Sequence, residues 1–201
     1  MASLLRSYNA ALVARPYLAG SATAATLFGA GDVLAQQAVD KQGMNHDVVR
    51  TARLALYGGV IFAPVVTRWY QMLEGIKLKS KPARTSRIVH LRFVATRVGL
   101  DQFVLTPVLV SVFYTSMALS EGQGIQGAKE RVRSAWWPTL QKNWGLFIPV
   151  QIANFAIVPA HLRLVLVNVV SLFWNAYLSY ANSKSSTTVG KIEEKRKALL
   201  E

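Results

Sequence analysis

Hydrophobic residues are not scattered along this chain; they collect into long blocks separated by short polar, mostly basic connections. The first block runs over 16–37. Pro16 suits a first helical turn, where its missing N–H would go unpaired in any case. Small residues fill the block, among them Gly20, Ser21, Ala24, Ala25, Gly29 and Gly31. So much glycine makes a poor helix in water, but inside a membrane small residues let helix backbones approach closely. The second block, 51–73, has an uncharged centre of only 14 residues, Leu54 to Thr67. That is short of the roughly 20 residues needed to cross a bilayer, unless Arg53 and Arg68 extend their head groups to the two interfaces. Trp69 and Tyr70 then stand at head-group level, and Pro64 predicts a kink. The third block, 91–119, contains Arg97, Asp101 and Pro107. A Gly-rich, charged loop is expected over 120–134. The stretch from Trp136 to Ala181 is too long for one crossing. Pro149 and Pro159 divide it into a shorter or tilted helix over 138–158 and a strong span over 160–180.

The predicted fold is therefore all-α, a polytopic membrane helical bundle of four transmembrane helices with an extra helix before the last span. A basic flank, 1–15, precedes the bundle at 16–181, and a polar tail, 182–201, follows it. Four crossings put both termini on one side. That side carries more Lys and Arg, so the positive-inside rule places it inside, which in a mitochondrion would be the matrix.

Composition fits this reading. The chain of 201 residues is 52% hydrophobic and only 16% charged, against about 25% charged in an ordinary soluble domain. A net charge of +13 would suggest nucleic acid for a soluble protein. Here the basic residues flank spans, where they meet anionic lipid head groups, and no nucleic-acid partner is expected. The absence of cysteine excludes disulfides and thiolate chemistry. His46, His90 and His161 are too far apart in sequence to suggest a metal site, and no phosphate-binding loop or nucleophile elbow is present. Neither a cofactor nor an enzymatic activity is expected. The first 31 residues lack Asp and Glu but carry Arg6 and Arg15. That composition fits a mitochondrial presequence and equally a basic flank on a first helix.

Charges within spans are costly and usually face a bundle interior or water. Asp32 is one. Arg97 and Asp101 stand at i, i+4 and can pair on one helical face. Two readings are open: a hydrophilic path lined by Asp32, Gln36, Arg97, Asp101 and Gln102, or a structural polar network that fixes helix register. Asn143, Phe147, Gln151 and Asn154 recur at spacings of three and four, which sets three amides on one face. Those amides can hydrogen-bond between helices or line a lumen. Trp69, Tyr70, Trp136, Trp137 and Arg163 are candidate interface anchors.

Several of these positions together resemble a known family. They are Arg15-Pro16, Gly31-Asp32 and Gln36; Asp47, Arg50 and Arg53; Pro64 with Trp69-Tyr70; and Arg97, Asp101-Gln102 and Pro107. The most specific run is Trp137-Pro138, Asn143-Trp144, Pro149, Gln151, Asn154-Phe155, Val158-Pro159, Arg163 and 174–179. The chain resembles the Mpv-seventeen and 22-kDa peroxisomal membrane protein family, and within it the fungal stress-inducible mitochondrial branch. It departs from the family at Ala63-Pro64, often Gly-Pro, and at Thr67, where a His often stands. The resemblance implies a four-span protein of the inner mitochondrial membrane that forms a poorly selective channel for small solutes or metabolites. It also implies links to stress tolerance and mitochondrial homeostasis. The expected partners are the lipid bilayer, small solutes, and further copies of the chain or a larger inner-membrane complex. A non-conducting assembly protein and a peroxisomal membrane member are the alternatives.

Overall fold

A computed structural model describes residues 2–75, 87–157, 170–182 and 184. Arg163 and most of the predicted last span lie outside the described residues, as do the side chains of Tyr70 and Asn154. Helix α1 is Ala2–Ala14. Helix α2 is Pro16–Leu34 and ends in a wide π turn, Ala35–Val39. After a 3₁₀ turn at Gly43–Asn45, α3 joins Val48–Leu56, a π turn at Tyr57–Phe62, and Ala63–Gly75. Helix α4 joins Arg87–Leu100, a π turn at Asp101–Leu105, and Thr106–Ser120. Helix α5 is Gly124–Ile157, and α6 covers 170–182. No strand occurs among the described residues.

Local chemistry sets the element ends. Arg15 sits at φ −140° and ψ 66°, outside the helical region, because the ring of Pro16 disfavours a helical residue before it. The basic flank is thus a helix of its own, set off from α2. Asp47 caps α3 by accepting from the Arg50 N–H at 2.9 Å, satisfying a donor that has no intrahelical partner.

Among the described residues, three stretches are long and apolar enough to cross a membrane: Pro16–Val39, Val48–Trp69 and Val94–Ser120. The shortest has 22 residues, about 33 Å of helix against a hydrocarbon core of about 30 Å. Side chains that would be costly in water face outward from them and from their neighbours. Leu56, Val60, Phe103, Ile152 and Phe173 are each more than half exposed, as lipid-facing positions should be. The interior is aromatic. Phe28 of α2 meets Tyr57 of α3 edge-on at 5.6 Å, and Tyr57 meets Phe113 of α4 at 5.2 Å. Leu54, Tyr114, Met117 and Leu140 complete the buried core.

The prolines of α3 and α4 are handled in the same way. Each follows a π turn closed by a five-residue hydrogen bond, from the Ala63 N–H to Gly58 O in α3 and from the Thr106 N–H to Asp101 O in α4. In α4 the next donor in that register would be residue 107, which is proline and has none. The carbonyl it would have served, Gln102 O, instead accepts from the Trp144 indole at 2.8 Å. The kink expected from Pro64 thus has a counterpart at Pro107, and both take the form of a wide turn just before the ring.

The structure differs from the sequence-based expectation in α5. The loop expected over 120–134 shrinks to Glu121–Gln123, with Gly122 and Gly124 at positive φ. The charges that suggested a loop are divided by helical periodicity. Lys129 and Arg133 face out, while Ala128, Arg131, Thr139, Leu140 and Asn143 are buried. Pro138 and Pro149 lie inside this 34-residue helix and do not divide it. Both are exposed, and Gly145, four residues before Pro149, has no side chain to crowd the ring.

Helix α5 runs antiparallel to α4: Trp136 Nε1 donates to Pro107 O at 3.1 Å, and Trp144 reaches Gln102. Helix α6 then runs antiparallel to α5, since Trp174 packs on Phe147 while Asn182 bonds Arg131. The extra helix therefore runs back along α4 over its whole described length. The end of α6 emerges beside the 40–47 and 121–123 connections, at the opposite end of the bundle from Pro16.

Glycines set two of the closest approaches. A β-carbon at Gly31 would lie 2.6 Å from Asn175 Cβ and 2.8 Å from Ala176 N, against the backbone of α6. One at Gly58 would lie 2.8 Å from Ala24 O. At Gly29 the nearest atom, Ala55 Cβ, is at an ordinary 3.6 Å. Gly31→Ala should therefore destabilise the protein by about 1–3 kcal/mol. Gly29→Ala should be neutral or slightly stabilising, because alanine is the better helix former. Thermal unfolding of the two variants in detergent checks the contrast, and equal melting points would refute it. In the same assay Trp144→Phe, which keeps a ring but removes the donor, should cost about 1–3 kcal/mol by orphaning Gln102 O.

Candidate functional site

Among the described residues, polar groups inside the bundle form two main sets with different chemistry. The first is centred on Asp32, which has no exposed surface. Its carboxylate is paired with Arg50 Nε at 2.8 Å and accepts from Gln36 Nε2 at 2.8 Å. The hydroxyls of Thr51 and Ser179 also donate to it. Arg50 continues to Asp40 Oδ2 at 2.9 Å and to Ser179 Oγ at 3.0 Å. Gln36, itself fully buried, bridges to the backbone of Asp47 by accepting its N–H at 2.6 Å and donating to its carbonyl at 2.9 Å. His46 lies at the rim, with Nε2 3.0 Å from Thr51 Oγ1. The set joins the end of α2, the start of α3 and the end of α6. A buried carboxylate needs a charge partner and filled lone pairs, and this one has both.

A smaller cluster sits at the same end of the bundle. Arg131, fully buried on α5, donates to Asn182 Oδ1 at 2.9 Å and forms an ion pair with Glu121 at the end of α4. It holds α4, α5 and α6 together as Asp32 holds α2, α3 and α6.

The second set lines a central cavity of about 340 Å³, with walls drawn from all six described helices. Most of its surface is apolar and aromatic, including Phe28, Tyr57, Phe113, Phe147 and Trp174. Among the lining residues are the polar side chains of Asp101, Gln102, Asn143 and Gln151. Asp101 and Gln102 lie on the π turn of α4, so the widened backbone carries both to the wall. Gln102 is 4% exposed, and its Nε2 donates to Asp101 Oδ2 at 3.0 Å. That bond assigns the amide orientation and turns Oε1 away from the carboxylate. Neither Gln102 Oε1 nor Asn143 Oδ1 has a hydrogen-bond partner among the described residues.

The residues singled out from the sequence are thereby separated. Asp32 and Gln36 belong to the paired cluster, whereas Asp101, Gln102 and Gln151 line the cavity. Arg97 is half-buried on α4, one turn before Asp101, and is not part of the wall. Trp136 is bound to Pro107 O inside the bundle, while Trp137 is 52% exposed and stacks on it. Trp69 is half-buried near the end of α3. Arg50, Thr51, Ser179 and Arg131 escaped the site reading. Arg50 and Ser179 were visible only as members of the family motifs, because their partner lies on another helix.

Removing Arg50 should expose the nature of the first set. Arg50→Met leaves the Asp32 carboxylate buried without its cation and should cost about 3–5 kcal/mol. Adding Asp32→Asn should recover part of that loss. Unfolding midpoints of the single and double variants measure the coupling, and simple additivity would show that the pair is not coupled.

Comparison with known proteins accords with this architecture. Residues 118–179 match the Mpv17 / PMP22 family. The chain is 43% identical to Protein SYM1 of Gibberella zeae over 92% of its own length and all of that protein. It is 43% identical to Protein SYM1 of Mycosarcoma maydis over 82% of its length and 78% of that protein. With Protein SYM1 of Saccharomyces cerevisiae it shares 38% identity over 90% of its length and 91% of that protein. No solved structure matches the chain. The chain belongs to the Mpv17 / PMP22 family and is a multi-pass protein of the mitochondrial inner membrane.

Proposed function

We propose that the bundle is a pore for small solutes or metabolites, working through its central cavity in support of mitochondrial homeostasis and stress tolerance. The observation that carries this reading is the cavity itself. A bundle that only needed to pack would fill its centre with interlocking side chains. This one keeps about 340 Å³ open and sets a carboxylate and several amides in the wall. Polar groups at such a depth mark solute pathways more often than packing. A non-conducting assembly protein, the alternative, would use the small-residue face of α2 and the interface tryptophans for docking. That face is occupied within the chain: Gly31 meets α6, and Ala24 and Ser21 meet Gly58 and Gly59 of α3.

The test is single-channel conductance of the purified protein in planar bilayers. Discrete openings are expected. Asp101→Asn should change their amplitude or their cation-to-anion preference. Asp32→Asn should lower the yield of folded protein but leave the unit conductance unchanged. A silent bilayer, with the protein shown to be folded and inserted, would overturn the pore reading.

A further inference from the structure

The central cavity lies nearer one end of the bundle. Its wall reaches Gly20 on α2 and Thr67 on α3, each within about one turn of the span ends at Pro16 and Trp69. The opposite end is tied by the ion pairs of Asp32 and Arg131. At the Pro16 end, α1 contributes Tyr8 and Leu12 to the wall. These side chains stand at i, i+4 on one face and are half-buried, while Arg6, Ser7, Ala10, Val13 and Ala14 are exposed. Helix α1 does not continue α2. A straight helix would hold residues 8 and 23 about 22 Å apart, yet Tyr8 Oη and Thr23 Oγ1 are 3.1 Å apart. The chain therefore folds back at Arg15, whose backbone is non-helical before Pro16.

The hold on α1 is slight. Thr23 gives its own proton to Ala19 O at 2.8 Å, so Tyr8 is the donor and Thr23 the acceptor. Among the described side chains, this is the hydrogen bond that joins α1 to another helix, and none of the described residues of α1 is buried. An element with so few buried contacts opens at a fraction of the free energy of global unfolding. We propose that α1 is a hinged cover over the Pro16 end of the cavity. Docked through Tyr8 and Leu12, it keeps water out of the cavity on that side. Swung about Arg15, it lets water and solutes in. The inference rests on the pore reading for what passes, and adds to it the element that controls entry.

Entry can be measured apart from conduction. The chain has no cysteine, so one introduced thiol reports on access. Ser171→Cys places it in the cavity wall on α6, and Leu140→Cys places it in the buried core on α5, away from the cavity. Each full-length protein, in phosphatidylcholine nanodiscs, is treated with a charged methanethiosulfonate, and labelling is followed by mass. With the Ser171→Cys reporter, Tyr8→Phe should speed labelling about fivefold, the change set by one lost hydrogen bond. Thr23→Val should do the same, and the two together should do no more than either alone, because both remove one bond. With the Leu140→Cys reporter, Tyr8→Phe should leave the rate unchanged.

Labelling of the Ser171→Cys reporter at one rate with and without the Tyr8 hydroxyl would overturn the proposal. Equal acceleration at both reporters, the mark of general loosening and not of one moving helix, would overturn it too. Faster labelling in a protein that is silent in planar bilayers would uphold the cover and overturn only the pore. Discrete openings, together with labelling that ignores Tyr8→Phe, would overturn the cover and leave the pore standing.

Discussion

A carboxylate with no exposed surface must have its charge answered within the protein, and Asp32 is answered from three directions. Arg50 supplies the cation, Ser179 and Thr51 supply hydroxyls, and Gln36 closes the remaining side. These groups come from α2, α3 and α6, so the charge can be satisfied only when the three helices sit in one register. The neighbouring residue makes this possible. Gly31 has no side chain where α6 crosses, and that close approach lets Ser179 reach the carboxylate. Glycine and aspartate thus act as one device, the first permitting contact and the second fixing its register. Hydrophobic matching cannot supply such register inside a bilayer, where lipid tails are as apolar as the helices themselves.

The prolines show a related economy of backbone polar groups. A helix in a membrane has no water to serve an orphaned carbonyl. At Pro107 the protein widens the preceding turn and gives the orphan, Gln102 O, to an indole from the next helix. The repair ties α4 to α5. It also places Asp101 and Gln102 on the widened turn, beside the cavity. The wide turn before Pro64 borders the same cavity through Tyr57, Phe62 and Ala63. The two breaks in helical regularity therefore flank the open space, which is where a backbone departing from the α form is best tolerated.

Much of this fold could be read from the sequence, and the failures have a common cause. Hydropathy located the helices of 16–37, 51–73 and 91–119 to within a few residues, because a lipid-facing segment must be apolar along its length. The same logic missed the first third of α5, where Arg131 is charged yet fully buried. Its partners, Glu121 and Asn182, lie on other elements, and local patterning cannot see them. Asp32 was recognised as a costly charge, but its cation, Arg50, stands 18 positions away across a turn. The i, i+4 rule drew attention to Arg97 and Asp101 because that spacing is visible in one dimension. The cavity was less legible still, since six described helices contribute to it and no single segment carries its signature.

The two polar sets also differ in what they imply about selection. The Asp32 cluster is closed: each group in it serves another, as expected of a device for register. In the second set, Gln102 Oε1 and Asn143 Oδ1 are buried and meet no protein donor among the described residues. Leaving a buried acceptor unserved costs on the order of 1–3 kcal/mol, a sizeable part of the stability of a small domain. Leucine or methionine at either position would remove that cost and fill the space. A bundle shaped for stability alone would have made the exchange.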